Sequence, residues 1–373
     1  MLGATNDFAR RLLAWYDRNR RDLPWRVARG APKDACPDAY HVLVSEAMLQ
    51  QTQVATVIPY FQRFLAQFRR VADLAAADEQ AVLRAWQGLG YYSRARNLRA
   101  AARAIVERHG GRVPDELEAL RALPGVGAYT AGAIASIAYN RRAPIVDGNV
   151  ARVLCRLDRI ETDPRDKTTS ALLWRRAEEV LPRRRTGDFN SALMELGATV
   201  CTPRSPQCLI CPVSAHCKAY AAGVQERIPP PRKPKETPLL ARDVLCVRRG
   251  EAWLIEQRPS TGRWAGMWQF VTVPRNGRRL SSRDVARHVG LPVAPPKLIG
   301  TATHALTHRR YAFDVYVCDA RDGEAGTSDS VRRWVSREEL DRYPLPRPHV
   351  KVALMLDDII GGMPPRAPDG GNV

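Results

Sequence analysis

Cys201, Cys208, Cys211 and Cys217 follow the spacing Cys-x6-Cys-x2-Cys-x5-Cys, all within 17 residues, whereas Cys36, Cys155, Cys246 and Cys318 are scattered singly. Thiolates hold iron–sulfur clusters, and Pro203, Pro206 and Pro212 shape a tight loop able to aim four of them at one centre. Zinc is the rival ligand, but zinc ribbons pair two Cys-x2-Cys halves and only one is present here. A [4Fe-4S] cluster is expected, with His216 a bystander and Arg204 and Lys218 offered to a phosphate backbone. Upstream, Leu123-Pro-Gly-Val-Gly-Ala-Tyr-Thr-Ala131 puts Gly125, Val126 and Gly127 between two helical stretches. Such a turn exposes backbone N–H groups at a helix start, where an anion binds. Twenty residues after Gly127, Ile145-Val-Asp147-Gly-Asn149 ends an apolar run in a carboxylate at the start of the next helix. By itself Asp147 reads as an N-cap. Glu46, in Val44-Ser-Glu46-Ala-Met-Leu-Gln-Gln51-Thr-Gln53, is one carboxylate on a mostly apolar helix followed by paired amides.

The elements that must carry these groups are helices through residue 222. Phe8, Leu12, Leu13 and Tyr16 recur at helical spacing, as do Val82, Leu83 and Trp86, and residues 100–106 are rich in alanine. Five prolines between Ile228 and Pro238 predict an extended linker over 223–238. Beyond it the period shortens to strands at 243–247, 252–257, 268–273 and 311–318, with helices at 282–289 and 349–359, so 239–360 reads as a small α+β domain. Residues 361–373 are expected to be disordered. The 373 residues are 45% apolar, enough to fill two cores, and Lys plus Arg at 58 against Asp plus Glu at 39 gives +19. Only seven of the basic residues are lysine, so the excess is guanidinium, which forks onto phosphate oxygens and points to a polyanionic partner. No apolar run approaches the roughly 20 residues of a membrane span, and Asp7, Arg10 and Arg11 interrupt any signal segment. A soluble, cytoplasmic, nucleoid-associated protein is expected, for which disulfides are disfavoured.

Together these motifs resemble the helix-hairpin-helix DNA glycosylase superfamily, which flips a base and cleaves its N-glycosidic bond. Ser-Glu46-x-Met-Leu-Gln-Gln-Thr is similar to the adenine glycosylases of the MutY family. The likeness also covers Leu23-Pro-Trp-Arg26, Gly88-Leu-Gly-Tyr-Tyr-Ser-Arg-Ala-Arg-Asn97, Phe189-Asn190 and the four cysteines. It implies an all-α helix-hairpin-helix domain over 1–222 with an iron–sulfur loop, then a Nudix-like domain over 239–360. It further implies that Glu46 is a general acid delivering a proton to adenine N7, which requires burial and a negative neighbour to raise its pKa. Asp147 would stay ionised and stabilise the sugar cation, with Tyr129 and Asn149 orienting the two acids. Arg26, Gln51, Tyr91 and the hairpin residues 125–127 would contact DNA, Gln51 and Tyr91 by filling the stack beside the extruded base. Tyr129 takes the place of the nucleophilic lysine of bifunctional relatives, and a phenol cannot form their Schiff base, so hydrolysis without strand nicking is implied.

In the C-terminal half, a Nudix pyrophosphatase would need a glutamate-rich helix to hold magnesium, and residues 281–289 supply one acid. The resemblance implies a reader of 8-oxoguanine there instead. Leu306, Thr307 and His308 are the nearest match to the family's Phe-Ser-His segment. Trp264-Ala-Gly-Met-Trp-Gln-Phe270 also resembles the family but continues Val-Thr-Val where Pro-Gly is usual. Two other departures are the longer 29–38 loop and Ser191, where relatives carry Glu or Gln. The expected partner is double-stranded DNA with adenine opposite 8-oxoguanine or guanine, met by a monomer; no protein partner can be read. The alternatives are a glycosylase of other mismatch specificity and a non-catalytic DNA-scanning or redox iron–sulfur protein.

Overall fold

The computed structural model describes residues 2–32, 35–231, 236–275, 277–306, 308–322 and 330–360. Helix follows helix as the apolar periodicity predicts: α1 (Leu2–Asn19), α2 (Ala39–Leu49), α3 (Val54–Gln67), α4 (Val71–Ala76), α5 (Glu79–Ala85), α6 (Ser93–His109), α7 (Leu117–Arg121), α8 (Ala128–Ala133), α9 (Gly148–Asp158), α10 (Lys167–Val180), α11 (Thr186–Thr199) and α12 (Lys218–Ala221). The contacts divide the chain into two units, Met1–Ala77 with Ser93–Lys233, and Asp78–Tyr92 with Pro234–Val373. The second unit thus takes in α5, a piece of sequence from inside the helical half.

In the first unit, Leu12, Tyr16, Ile145, Leu154, Phe189 and Leu196 lock α1, α9 and α11 into one core. The start of α2 is set by Asp38, whose carboxylate accepts the amides of Tyr40 and His41 at 2.8 and 3.1 Å. Its end is set by the buried Arg94, whose Nη1 donates to the carbonyls of Ala47, Met48 and Gln50 at 3.0, 2.8 and 2.6 Å. Those are the carbonyls a helix end leaves without partners. The chain can therefore break there, and Gln51 turns outward with φ +58. The hairpin between α7 and α8 needs Gly125 twice over. Its φ is +74, and a Cβ there would lie 2.6 Å from Asn97 Cβ. α8 runs on into a π-helical turn, Ile134–Ala138. A buried polar plug joins this turn to α11: Asn190 Nδ2 donates to Ser136 Oγ and to the Ala143 carbonyl, both at 2.9 Å.

The second unit holds one mixed sheet, β1 (Leu239–Arg249), β2 (Ala252–Gln257), β3 (Trp268–Pro274), β4 (Lys297–Leu306), β5 (Arg309–Asp319) and β6 (Arg332–Val335), in the order β4-β5-β1-β3-β2-β6. Among the described residues only β1 and β5 run parallel. The unit also carries α13 (Ser282–Val289), α14 (Arg337–Leu340) and α15 (Arg347–Ile360). Central β1 is apolar on both faces, as a strand covered twice must be. Val244 and Cys246 join Val352 and Leu356 of α15 in one core. Leu245 and Val247 join Val285 and Val289 of α13 in the other. β4 and β6 were not read from the sequence because β4 is a mostly exposed edge strand and β6 has four residues.

The proline-rich stretch begins later than expected, because Ile228 is buried in the first unit's core and its carbonyl accepts Arg156 Nε at 2.8 Å. Thr307 and the 361–373 tail lie outside the described residues, as do Lys33 and Asp34 of the long loop. That loop lines a cavity of about 250 Å³ with Tyr16, Asn140 and Asp188. Among the described residues no helix is long and apolar enough to cross a membrane. Asn190→Ala would leave the Ala143 carbonyl unsatisfied inside the core, and denaturant unfolding should show a loss of about 1–3 kcal/mol.

Candidate active site

Four helices of the first unit bring their functional side chains to one cavity of about 500 Å³: Glu46 from α2, Tyr129 from α8, Asp147 and Asn149 at the start of α9, and Ser191 and Met194 from α11. Gln51 and Arg26 also line it. The approach of α11 to α9 depends on Gly197, where a Cβ would sit 2.6 Å from Asn149 Cβ.

Glu46 is 5% exposed on a helix that is apolar on nearly every side. Burial pushes its carboxyl up to about 7; the Tyr129 hydroxyl bonded to it and Arg26 pull the other way, and the charge of Asp147 adds to the rise. Asp147 meets a different environment. It caps α9, accepting the Val150 amide at 2.7 Å, and Asn149 Nδ2 donates to its other oxygen at 3.1 Å. Burial raises its pKa above the ordinary value, while these donors hold it down. The N-cap of α9 is therefore also a carboxylate of the cavity. Tyr129 is held well above the usual phenol range by burial and by both acids, so it remains a donor. Its hydroxyl also lies 3.3 Å from Met194 Sδ.

Beneath this pair lies an ion pair the sequence did not reveal. Glu195, 1% exposed, binds Arg21 Nε at 2.7 Å and Arg26 Nη2 at 2.9 Å. Burial opposes its ionisation, yet the two guanidiniums win and its pKa falls. Arg26, expected at the DNA, is thus engaged inside the protein, its side chain 13% exposed. The signal that could have found the pair is a lone glutamate in the apolar run of α11. Ser191 lines the same cavity and hydrogen-bonds Tyr16. Tyr91 belongs to the second unit; it is 44% exposed with φ +47. His308 is exposed in the connection between β4 and β5, and Leu306 ends β4, paired with Arg309.

The four clustered cysteines form no disulfide and line one cavity with Arg156. Arg156, 2% exposed, donates to Cys201 Sγ at 3.3 Å and to the carbonyls of Thr202 and Pro203 at 2.7 and 3.2 Å. Backbone amides point at Cys211 from Val213 and at Cys217 from Tyr220 and Ala219. Burial pushes the Cys211 thiol up to about 12. Buried sulfurs ringed by N–H donors suit the thiolates of an iron–sulfur cluster, whose iron replaces the thiol protons. His216, beside Cys217, has its Nε2 3.2 Å from Asp7 and its ring packed edge-on against Phe8. Lys218 faces Asp158 at 3.7 Å. Arg152 connects this loop to the acids, donating to Cys201 O, to Gly197 O and to Asn149 Oδ1 at 2.8, 2.7 and 2.8 Å.

Comparison with known proteins agrees with this geometry. Residues 44–179 match the helix-hairpin-helix superfamily of base excision DNA repair proteins, 201–217 the iron–sulfur binding domain of endonuclease III, and 243–355 the Nudix domain. The chain is 37% identical to the adenine DNA glycosylase of Mus musculus across 94% of its own length and 78% of that protein. It is 39% identical to that of Homo sapiens over 88% and 70%. The chain belongs to the adenine DNA glycosylase, or MutY, family. It is an N-glycosidic bond hydrolase of base excision repair that carries a [4Fe-4S] cluster. A solved thermostable thymine-DNA glycosylase, 29% identical, matches 58% of this chain and 97% of its own with a TM-score of 0.50, in keeping with the helical fold.

The iron–sulfur match begins at Cys201 and ends at Cys217, the span that holds the four cysteines sharing the cavity. The Nudix-like domain spends its one acid in α13 on structure: Asp284 forms a capping box with Ser281. Cys208→Ser should cost the protein its brown chromophore and most of its soluble yield, read by visible absorbance and iron content after anaerobic purification.

Proposed function

We propose that this adenine DNA glycosylase removes adenine mispaired with 8-oxoguanine or guanine and leaves the strand uncut. The observation that carries the mechanism is the contrast within one cavity: burial pushes the Glu46 carboxyl up to about 7, whereas the burial of Asp147, which also raises its pKa, is opposed by hydrogen bonds from Val150 and Asn149 that favour its anion. Glu46 delivers a proton to N7 of the extruded adenine, which makes the base a neutral leaving group. Asp147 stabilises or transiently captures the positive charge that develops at C1′, and water completes the hydrolysis. Tyr129 holds Glu46 and Asn149 holds Asp147, each by a hydrogen bond already formed. With a phenol at Tyr129, no amine in this position is available for β-elimination.

The opposite strand is read elsewhere. Gln51, turned outward at the rim of the cavity, and Tyr91 fill the stack vacated by adenine. The hairpin residues Gly125, Val126 and Gly127 approach a phosphate through their amides. Leu306, Thr307 and His308 contact the oxidised guanine. The single acid of α13, engaged in a capping box, supports that reading, since a pyrophosphatase would need several carboxylates on that helix.

The test is single-turnover base release from duplexes with adenine opposite 8-oxoguanine, guanine or thymine, scored by alkaline cleavage. Release opposite 8-oxoguanine and guanine, lost in Asp147→Asn, is the expected result; equal release opposite thymine would overturn the mispair assignment. The acid form of Glu46 dominates below about pH 7. Excision should therefore fall as the pH rises through about 7, and fall again on the acid side where Asp147 takes up a proton. Glu46→Gln should lower the rate by about 100-fold or more, since it has no proton to give.

A further inference from the structure

The turn that carries Tyr91 is fixed by its own contacts. Trp86 Nε1 donates to the Gly90 carbonyl and the Gly88 amide to the Tyr92 hydroxyl, both at 3.2 Å. The segment is also anchored to the rest of the second unit. Gln80 Nε2 donates to the Gly266 carbonyl at 3.0 Å, and the Leu345 amide donates to Gln87 Oε1 at 3.2 Å. The Gly266 carbonyl is shared, since Gln257 Nε2 also donates to it at 3.0 Å.

Gly266 lies in the loop 258–267, which is closed on itself by the Gly266 amide to Pro259 O at 3.0 Å and the Arg258 amide to Met267 O at 2.8 Å. Two residues away, Trp264 has φ +54, and its ring packs 5.4 Å from Tyr311 and 6.2 Å from His304. His304 and Tyr311 are register partners across β4 and β5. Leu306, two residues beyond His304, shares its face of β4, and His308 lies in the connection that follows. Ring contacts therefore join Trp264 to His304 and Tyr311, on the strands that lead to the β4–β5 tip, and hydrogen bonds join the loop at Gly266 to Gln80 in the segment bearing Tyr91.

We propose that loop 258–267 makes the seating of Tyr91 depend on the base read at the β4–β5 tip, so that Trp264, Gln80 and Gln87 are positioning residues that set mispair preference. The inference rests on the roles given above to Tyr91 and to the tip. Short, closed elements of this kind shift as units, so a small displacement at one end is not dissipated along the way. None of the three residues belongs to the base pocket, so chemistry on an adenine already extruded does not require them.

The test compares single-turnover excision opposite 8-oxoguanine and opposite guanine in the full chain. Trp264→Ala and Gln80→Ala/Gln87→Ala should each lower the ratio of the two rates by about tenfold, with the rate opposite guanine held within about twofold. Trp264→Phe should restore most of the ratio. A ratio unchanged in both variants but lowered in Leu306→Ala/His308→Ala would overturn the coupling and leave lesion reading standing. A ratio unchanged in all three would overturn both. Equal loss of both rates with a lowered melting temperature would reduce the loop to a merely structural role and overturn the inference.

Discussion

Two carboxyl groups share one cavity, and the helical unit gives them different surroundings. Burial alone would raise both, because it penalises either anion. The two are separated by position on their helices. Glu46 sits in the last turn of α2, where backbone amides are already committed, so desolvation dominates. Asp147 sits at the start of α9, where free amides and the helix dipole favour an anion. Arg26 would upset this balance, since its charge draws the Glu46 pKa down. That guanidinium is itself paired with Glu195, a buried anion shared with Arg21.

The same helix carries the other half of the design. α9 begins at the Asp147 cap, places Arg152 one turn further along and Arg156 a turn after that. Arg152 touches the residue that orients Asp147 and the carbonyl of the first cluster cysteine. Arg156 takes the sulfur of that cysteine and the carbonyls that follow it. The cysteine loop is therefore tied to the helix whose first turn holds the anion, and the position of one end of α9 constrains the other. A loop that lacks an apolar core of its own gains its order from this attachment and from the cluster.

What the sequence made legible were features with a local signature. The cysteine spacing, the glycines of the hairpin and the lone carboxylate of α2 each break a pattern, and α13 falls between Ser281 and Gly290, its own cap residues. Long-range pairings left no such mark. Glu195 and Arg21 are 174 residues apart and meet only because α1 packs on α11. α5 reads as one more amphipathic helix, yet its unit includes the sheet. β4 escaped because an edge strand buries too little to alternate cleanly.

The arginine excess has a second meaning that composition alone hides. A basic chain invites the inference that its cations face a polyanion, but several of these guanidiniums are turned inward onto backbone carbonyls. Arg94 ends α2 in this way, and Arg152 and Arg156 brace the cysteine loop. Arg156 uses all three of its nitrogens on acceptors from separate stretches of chain, among them Ile228, Thr202 and Pro203. An ammonium concentrates its donors at one point, whereas a planar fork distributes them over several ångströms. Lysine would keep the charge at these positions and lose the bracing. The preference for arginine therefore follows in part from a fold that must fix helix ends and an irregular loop around buried acids, and the charge available to DNA is smaller than +19 implies.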